Sequence, residues 1–136
     1  MISIEEANAV LGMRLGNRTA PTVNTWYVGL STTPISEDGS GISEPSGDNG
    51  YHRVAIQNNS SNFTAPSNMT VKNSNPIVFD EVTADCGTAT HIFLSSEETG
   101  GRAAYYGQFT VPRPMPAQSN LTINAGDATF KIVNVQ

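Results

Sequence analysis

Three consecutive segments decide the fold: TATHIFLSS (Thr88–Ser96), EETGGR (Glu97–Arg102) and AYYGQFTV (Ala104–Val111). The first and third are rich in β-branched and aromatic residues, which favour strands. The middle segment is polar and carries two adjacent glycines, which are typical of a tight turn. The three segments therefore predict a β-hairpin with one of the two glycines at positive φ.

The same alternation of strand-like and turn-like segments extends along most of the chain. Further strands are predicted from Asn24, over Tyr51–Gln57, near residues 69–72, over Ile77–Phe79, and over Leu121–Asn124 and Thr129–Val135, the last two as a closing hairpin around Ala125–Asp127. Pro112, Pro114 and Pro116 are expected to interrupt the ladder after the central hairpin, because proline lacks an N–H donor. The sequence predicts an all-β fold of about seven or eight strands, an antiparallel sandwich resembling a jelly roll.

Composition supports one β domain over residues 1–136, with a helix over 1–16 and the β domain over 24–136. The 136 residues include 13 Asn, 13 Ser and 14 Thr, whereas charged residues make up only 14% and the net charge is −5. Helical bundles need more Ala, Glu, Lys and Leu than this. Seven scattered basic residues do not form the positive surface that nucleic acids require, and no apolar run is long enough for a membrane span.

The first sixteen residues form the one convincing helical pattern. Ser3 and Glu6 match the S-x-x-E capping sequence, and Gly16 is a suitable stop. The apolar residues recur at helical spacing on one face: Ile4, Ala7, Val10, Leu11 and Leu15. This face is predicted either to close one end of the β domain or to dock on a neighbouring subunit.

A long loop and several aromatic residues are the other candidate contact sites. The loop Pro34–Gly50 is rich in glycine and holds three acids that are candidates for surface contact or for Ca²⁺ binding: Asp38, Glu44 and Asp48. Strand alternation should expose one member of each adjacent aromatic pair, so the candidate contact aromatics are Trp26, Tyr27 and Tyr106. Exposed aromatics on a sheet suit a sugar or a protein equally well.

Motifs for catalysis and cofactor binding are lacking. Cys86 and His91 are the nearest approach to a nucleophile and base, but regular strand spacing would place them on opposite faces. The clusters Asp80–Asp85 and Glu97–Glu98 suggest polysaccharide hydrolysis only weakly. The sequence therefore predicts a non-enzymatic protein with no cofactor and no metal site.

One set of segments resembles a known family. Tyr27–Pro34, the E-P-S-G sequence of Glu44–Gly47 and the G-Y-x-R-V sequence of Gly50–Val54 are similar to small bacteriophage virion proteins usually described as tail fibre proteins. The resemblance continues in order to the Gly126-Asp127 turn and covers about residues 25–135. The family often has Trp where this chain has Cys86, and its members have no catalytic residue.

The resemblance implies a structural component of the virion, made in the bacterial cytoplasm without a signal peptide and present in symmetric copies beside other tail, neck or capsid proteins. Alternative functions are a capsid decoration, head-fibre or neck protein, and a module that binds sugars on the host surface. An enzyme that hydrolyses surface polysaccharide is a third hypothesis. No nucleic-acid or membrane partner is expected.

Overall fold

The central hairpin is present in the computed structural model, which describes residues 1–132. Strand β5 (Thr88–Ser95) pairs antiparallel with strand β6 (Tyr105–Pro114), and Phe93 lies opposite Tyr106. Both turn glycines, Gly100 and Gly101, have positive φ, at 68° and 69°. The sequence pattern therefore identified the hairpin and its turn correctly.

The described residues form one α-helix and eight strands. Besides β5 and β6 these are helix α1 (Ile4–Arg14), β1 (Thr25–Ser31), β2 (Val54–Gln57), β3 (Thr70–Lys72), β4 (Ile77–Val78), β7 (Thr122–Ile123) and β8 (Thr129–Lys131), with a 3₁₀ turn at Gly47–Asn49. The expectation of an all-β fold with one N-terminal helix is confirmed. No helix among residues 1–132 is long and apolar enough to cross a membrane.

The strands form one large and two small antiparallel sheets. The large sheet has the order β2-β1-β5-β6, while β3 pairs with β8 and β4 pairs with β7. Side chains of the large sheet, such as Val28 and Leu94, share one buried cluster with Ile123 and Phe130 of the small sheets. The core therefore lies between the large sheet and the two small ones, as in a sandwich.

The opposite face of the large sheet is also covered. Phe93 points away from the main core because it alternates with Ile92 and Leu94. It is fully buried in a second cluster with Ile35 and Tyr106. The long loop after β1 supplies Ile35, so this loop packs on the sheet.

The prolines after the hairpin do not end strand β6 where the sequence pattern placed the break. Pro114 lies opposite Thr88, and the pairing register shifts between Ala89 and His91. Arg113 pairs with Ala89 and Gln108 pairs with His91, so residues 109–112 form a bulge opposite the single residue Thr90. A bulge accommodates Pro112 because its residues do not donate to the ladder.

The expected closing hairpin is wrong. Strands β7 and β8 pair with β4 and β3, not with each other. The buried Asn73 side chain holds the connection between them: its Oδ1 accepts the N–H groups of Gly126 (3.1 Å) and Ala128 (3.0 Å), and its Nδ2 donates to Asn124 O (3.1 Å). These bonds provide hydrogen-bond partners for the backbone groups of the turn, although β7 and β8 do not pair. The predicted strand end at residues 133–135 lies outside the described residues.

Helix α1 is attached to the edge of the large sheet through the residues before it. The Met1 amino group donates to Tyr106 O (2.7 Å), Ser3 N–H donates to Ala104 O (2.8 Å), and Ile4 N–H donates to Glu37 O (2.9 Å). Buried Ser3 is the helix cap, and its Oγ accepts the N–H of Glu6 at 3.2 Å. The predicted cap at Ser3 is therefore present, but the reciprocal bond of a capping box is not, because the Ser3 N–H donates to Ala104 O and not to the Glu6 side chain.

Candidate functional site

The most specific sequence motif forms a buried polar network. Arg53, whose side chain is 2% exposed, donates from Nε to both carboxylate oxygens of Glu44 at 3.1 and 3.2 Å. Its Nη1 donates to Glu97 O at 2.6 Å. Tyr51 donates to Glu44 Oε2 at 2.7 Å and accepts the N–H of Leu30 at 2.9 Å. Burial raises the pKa of Tyr51, so its hydroxyl stays protonated and makes both bonds.

Phe93 lies beneath this network. The Arg53 guanidinium carbon is 4.9 Å from the centroid of the Phe93 ring, a distance suited to a cation–π contact. Gly29, on the neighbouring strand, leaves the space for the ring, because a Cβ at this position would overlap it. The motif residues therefore join the loop, the large sheet and the hairpin turn.

The loop acids do not form the common site that their clustering suggested. Glu44 binds Arg53 and its side chain is 22% exposed, so most of its surface is used within the chain. Asp38 and Asp48 are exposed, and the Ser40 hydroxyl and N–H hold the pKa of Asp38 below its usual value. No group of three metal-ligating side chains occurs within residues 1–132, so Ca²⁺ binding has no support in this part of the chain.

Two of the three candidate contact aromatics are buried. Trp26 faces the main core and meets Tyr105 edge to face, with ring centroids 5.9 Å apart. Tyr106 packs in the cluster around Phe93 on the opposite face. Each adjacent pair thus has one buried and one half-buried member, and Trp26 and Tyr106 are the buried members because both faces of the large sheet are covered. Neither is exposed as a contact residue in this chain. Tyr27 is half-buried and remains a candidate.

Cys86 and His91, the possible nucleophile and base, each bond to a different partner. The Cys86 thiol is buried and donates to Ala84 O at 3.4 Å, and burial raises its pKa. His91 Nδ1 lies 2.8 Å from the Thr90 hydroxyl, and burial lowers the pKa of His91. A raised thiol pKa disfavours the reactive thiolate. The geometry therefore gives this pair no nucleophilic function.

The helix residues proposed for docking are all accessible to some degree. Ile4 is 52% exposed, Leu11 55% and Leu15 73%, while Ala7 and Val10 are half-buried. No residue of α1 is buried. The helix therefore adds no fully buried side chain to the core, and Ile4, Leu11 and Leu15 face solvent in the isolated chain while Ala7 and Val10 are partly covered.

A concave surface over β3 and β8 was missed by the sequence patterns. Its floor includes Lys72 and Lys131, which are the two lysines of the chain, together with Thr70 and Thr129. The segments T-V-K and T-F-K share the alternation of a strand with a polar outer face. That repeated pattern was the available signal, but the pairing of two segments so distant in sequence was not predictable from it.

The fold and these sites define a β protein whose most specific motif holds the long loop against the large sheet. A family model described as "Podophage GP4 fiber I protein gp80" matches residues 2–131. The chain belongs to this family of phage fibre proteins and is a structural fibre component of a phage particle, which associates with other virion proteins. A comparison with curated proteins found no match.

Proposed function

We propose that this fibre component is non-enzymatic and assembles as symmetric copies through helix α1. The observation that carries the proposal is a stripe of exposed apolar residues, Ile4 and Leu11 on helix α1 and Leu15 at its C-terminal cap, on a helix whose first residues are bonded to the β domain. Apolar side chains grouped on one exposed face mark interaction sites in soluble proteins. The family description supports a fibre in preference to a capsid decoration or neck protein.

The stripe has the geometry of a helix-packing seam. Residues seven and eleven positions after Ile4 return to the same side of an α-helix, within an arc of about 40°. Leu11 occupies the first of these positions within α1, and Leu15 follows the last helical residue as the C-cap and extends the apolar surface beyond the helix end. Ala7 lies beside Leu11 as a small residue that permits close approach. The backbone bonds of Ser3 and Ile4 fix the direction in which the stripe points.

The partner proposed for the stripe is helix α1 of a second copy. Glu5 and Glu6 lie in the first turn, while Arg14 lies in the last turn and Arg18 follows it. An antiparallel pair of helices would place the acidic end of one beside the basic end of the other. It would also oppose the two helix dipoles favourably. This charge pattern is self-complementary, as a two-fold contact requires.

The test is the solution mass of the purified chain by light scattering, with a charged double variant and a matched control. We expect a dimer for the wild type and a monomer for Leu11→Glu with Leu15→Glu. Glutamate has good helix propensity, so the helix itself should persist. Met13, 43% exposed on the opposite side of the helix, supplies the control: Met13→Glu should leave the dimer intact.

Each other outcome contradicts part of the proposal. A wild-type monomer, or a double variant with unchanged mass, would overturn the contact through α1. A trimer that the double variant disrupts would retain the contact and overturn the antiparallel arrangement. Circular dichroism of each variant establishes that the change in mass is not a change in folding.

A further inference from the structure

The concave surface over β3 and β8 is a second accessible feature, distinct from α1. It encloses about 350 Å³ and is open to solvent. Its floor is the outer face of the β3–β8 pair, and a wall comes from the segment before β3, which includes Thr64 and Ser67. Thr64 fixes that wall, since its Oγ accepts the N–H of Lys72 and its own N–H donates to Lys72 O, both at 2.9 Å.

Strand register brings both lysines of the chain to this floor. Thr70 pairs with Lys131 and Lys72 pairs with Thr129, so the lysines lie on one diagonal. Diagonal neighbours on one face of an antiparallel pair are about 7–8 Å apart. Val71 and Phe130 alternate with them and face the other way, where Phe130 enters the core. The β3–β8 pair therefore carries two lysines on one diagonal and two threonines on the other.

The surface is positive in a chain that is otherwise negative. The net charge is −5, yet none of the lining residues carries a carboxylate. Within residues 1–132, neither lysine takes part in an ion pair, whereas Arg53 and Arg102 each have an acidic partner. The two ammonium groups therefore remain available to an external anion.

The rim of this surface is a tight two-residue hairpin turn. Ser67 and Thr70 exchange backbone hydrogen bonds of 3.1 and 3.0 Å around Asn68 and Met69. Asn68 and Met69 have φ of 52° and 58°, and positive φ at both central residues is typical of the turns that close β-hairpins. The turn therefore holds the rim in a defined position beside the two lysines.

We propose that this surface binds an anionic polysaccharide. The lysines would contact successive acidic groups of the polymer, and the hydroxyls of Thr64, Thr70 and Thr129 would bind its sugar hydroxyls. An open, shallow surface suits a chain-like ligand that passes across it. The lining residues include no aromatic side chain on which a nucleobase could stack, which favours a sugar polymer over a single-stranded nucleic acid. Binding at one surface is weak, and several copies on a particle would strengthen it by avidity.

The test is calorimetric titration with a polygalacturonate oligosaccharide, with dextran sulfate and neutral dextran for comparison. We expect the wild type to bind both anionic polymers, to ignore dextran, and to lose affinity as salt is raised. Lys72→Gln with Lys131→Gln should weaken binding on the order of tenfold or more, since both point charges are removed. Arg102→Gln, an exposed charge elsewhere, should leave the affinity unchanged.

The proposal does not rest on assembly through α1, so the Leu11→Glu/Leu15→Glu variant should bind both anionic polymers with wild-type affinity. The polysaccharide proposal would be overturned if the wild type did not bind, if dextran bound equally well, or if Arg102→Gln weakened binding as much as the double lysine variant. A single-stranded oligodeoxynucleotide of equal charge that binds as tightly would show that the surface takes any polyanion, which contradicts a sugar site. Both lysines are exposed, so the double variant should fold.

Discussion

At the scale of single residues, the ion pair between Glu44 and Arg53 stabilises the packing of the long loop on the large sheet. The Arg53 guanidinium is almost completely buried and contacts a carboxylate, a carbonyl oxygen and an aromatic ring. Removing one partner of such a pair leaves the other charge buried without compensation. The residues of the motif that indicated a phage family therefore pack the loop against the sheet in this chain.

We expect Arg53→Met to lower the free energy of unfolding by about 3–5 kcal/mol, because Glu44 would lose its cationic partner. The measurement is urea unfolding followed by tryptophan fluorescence of Trp26, which lies in the core. Arg102→Met is the matched control. Arg102 pairs with Asp38 at 3.8 Å in an exposed setting, where an ion pair contributes about 0–1 kcal/mol. Equal losses in the two variants would contradict a special contribution from Arg53.

At the scale of secondary-structure elements, one buried asparagine determines how the C-terminal strands pair. Asn73 holds the segment from Asn124 to Ala128, and it also donates from Nδ2 to Asn75 O at 2.9 Å. Through these bonds the end of β3 is joined to the turn that precedes β8. The strands on either side of that turn are thereby directed to different partners.

We expect Asn73→Ala to destabilise the protein by about 2–4 kcal/mol, because several buried backbone groups would lose their hydrogen-bond partner. Hydrogen exchange should show the largest loss of protection in β3 and β8. Asn75→Ala is the control, since Asn75 is exposed and its Nδ2 bonds only to Ser61 O and to Asn62. If Asn73→Ala lowered hydrogen-exchange protection equally in all strands, the result would contradict a local role of Asn73 in β3 and β8.

The elements differ in how far the sequence could predict them. The β5–β6 hairpin and the capped helix were predictable because each depends on residues close together in the chain. The separation of β7 from β8 was not, since it depends on Asn73, which is 51 residues before Asn124. The network around Arg53 was missed for the same reason: its motif indicated a family, but the burial of Glu44 results from the loop packing on Phe93.

The contact aromatics show a related limit. Alternation correctly placed Trp26 and Tyr27 on opposite faces of a strand, but it carries no information on what covers each face. Both faces of the large sheet are covered, one by the small sheets and the other by the loop that contains Ile35. Exposure is a property of the assembled layers and not of any one strand.

At the scale of the whole molecule, the phenol groups at the sheet edge make stability sensitive to alkaline pH. Burial, with a smaller contribution from the charge of Glu6, raises the pKa of Tyr105 to about 12. In the unfolded chain a tyrosine has a pKa of about 10. Tyr105 packs between Trp26 and Phe130 and pairs with Leu94, so its ionisation affects several layers at once.

The sign of the effect follows from these two values. Below pH 10 the Tyr105 phenol is protonated in both states, and its stabilising contribution is complete. As the pH rises from 10 to 12, the unfolded chain releases the proton first, so the free energy of unfolding falls and the contribution is lost as the pH passes the folded pKa. We expect urea midpoints to decline over this window, and Tyr105→Phe to decline less steeply than the wild type. Parallel declines in the two proteins would show that Tyr105 is not the group responsible.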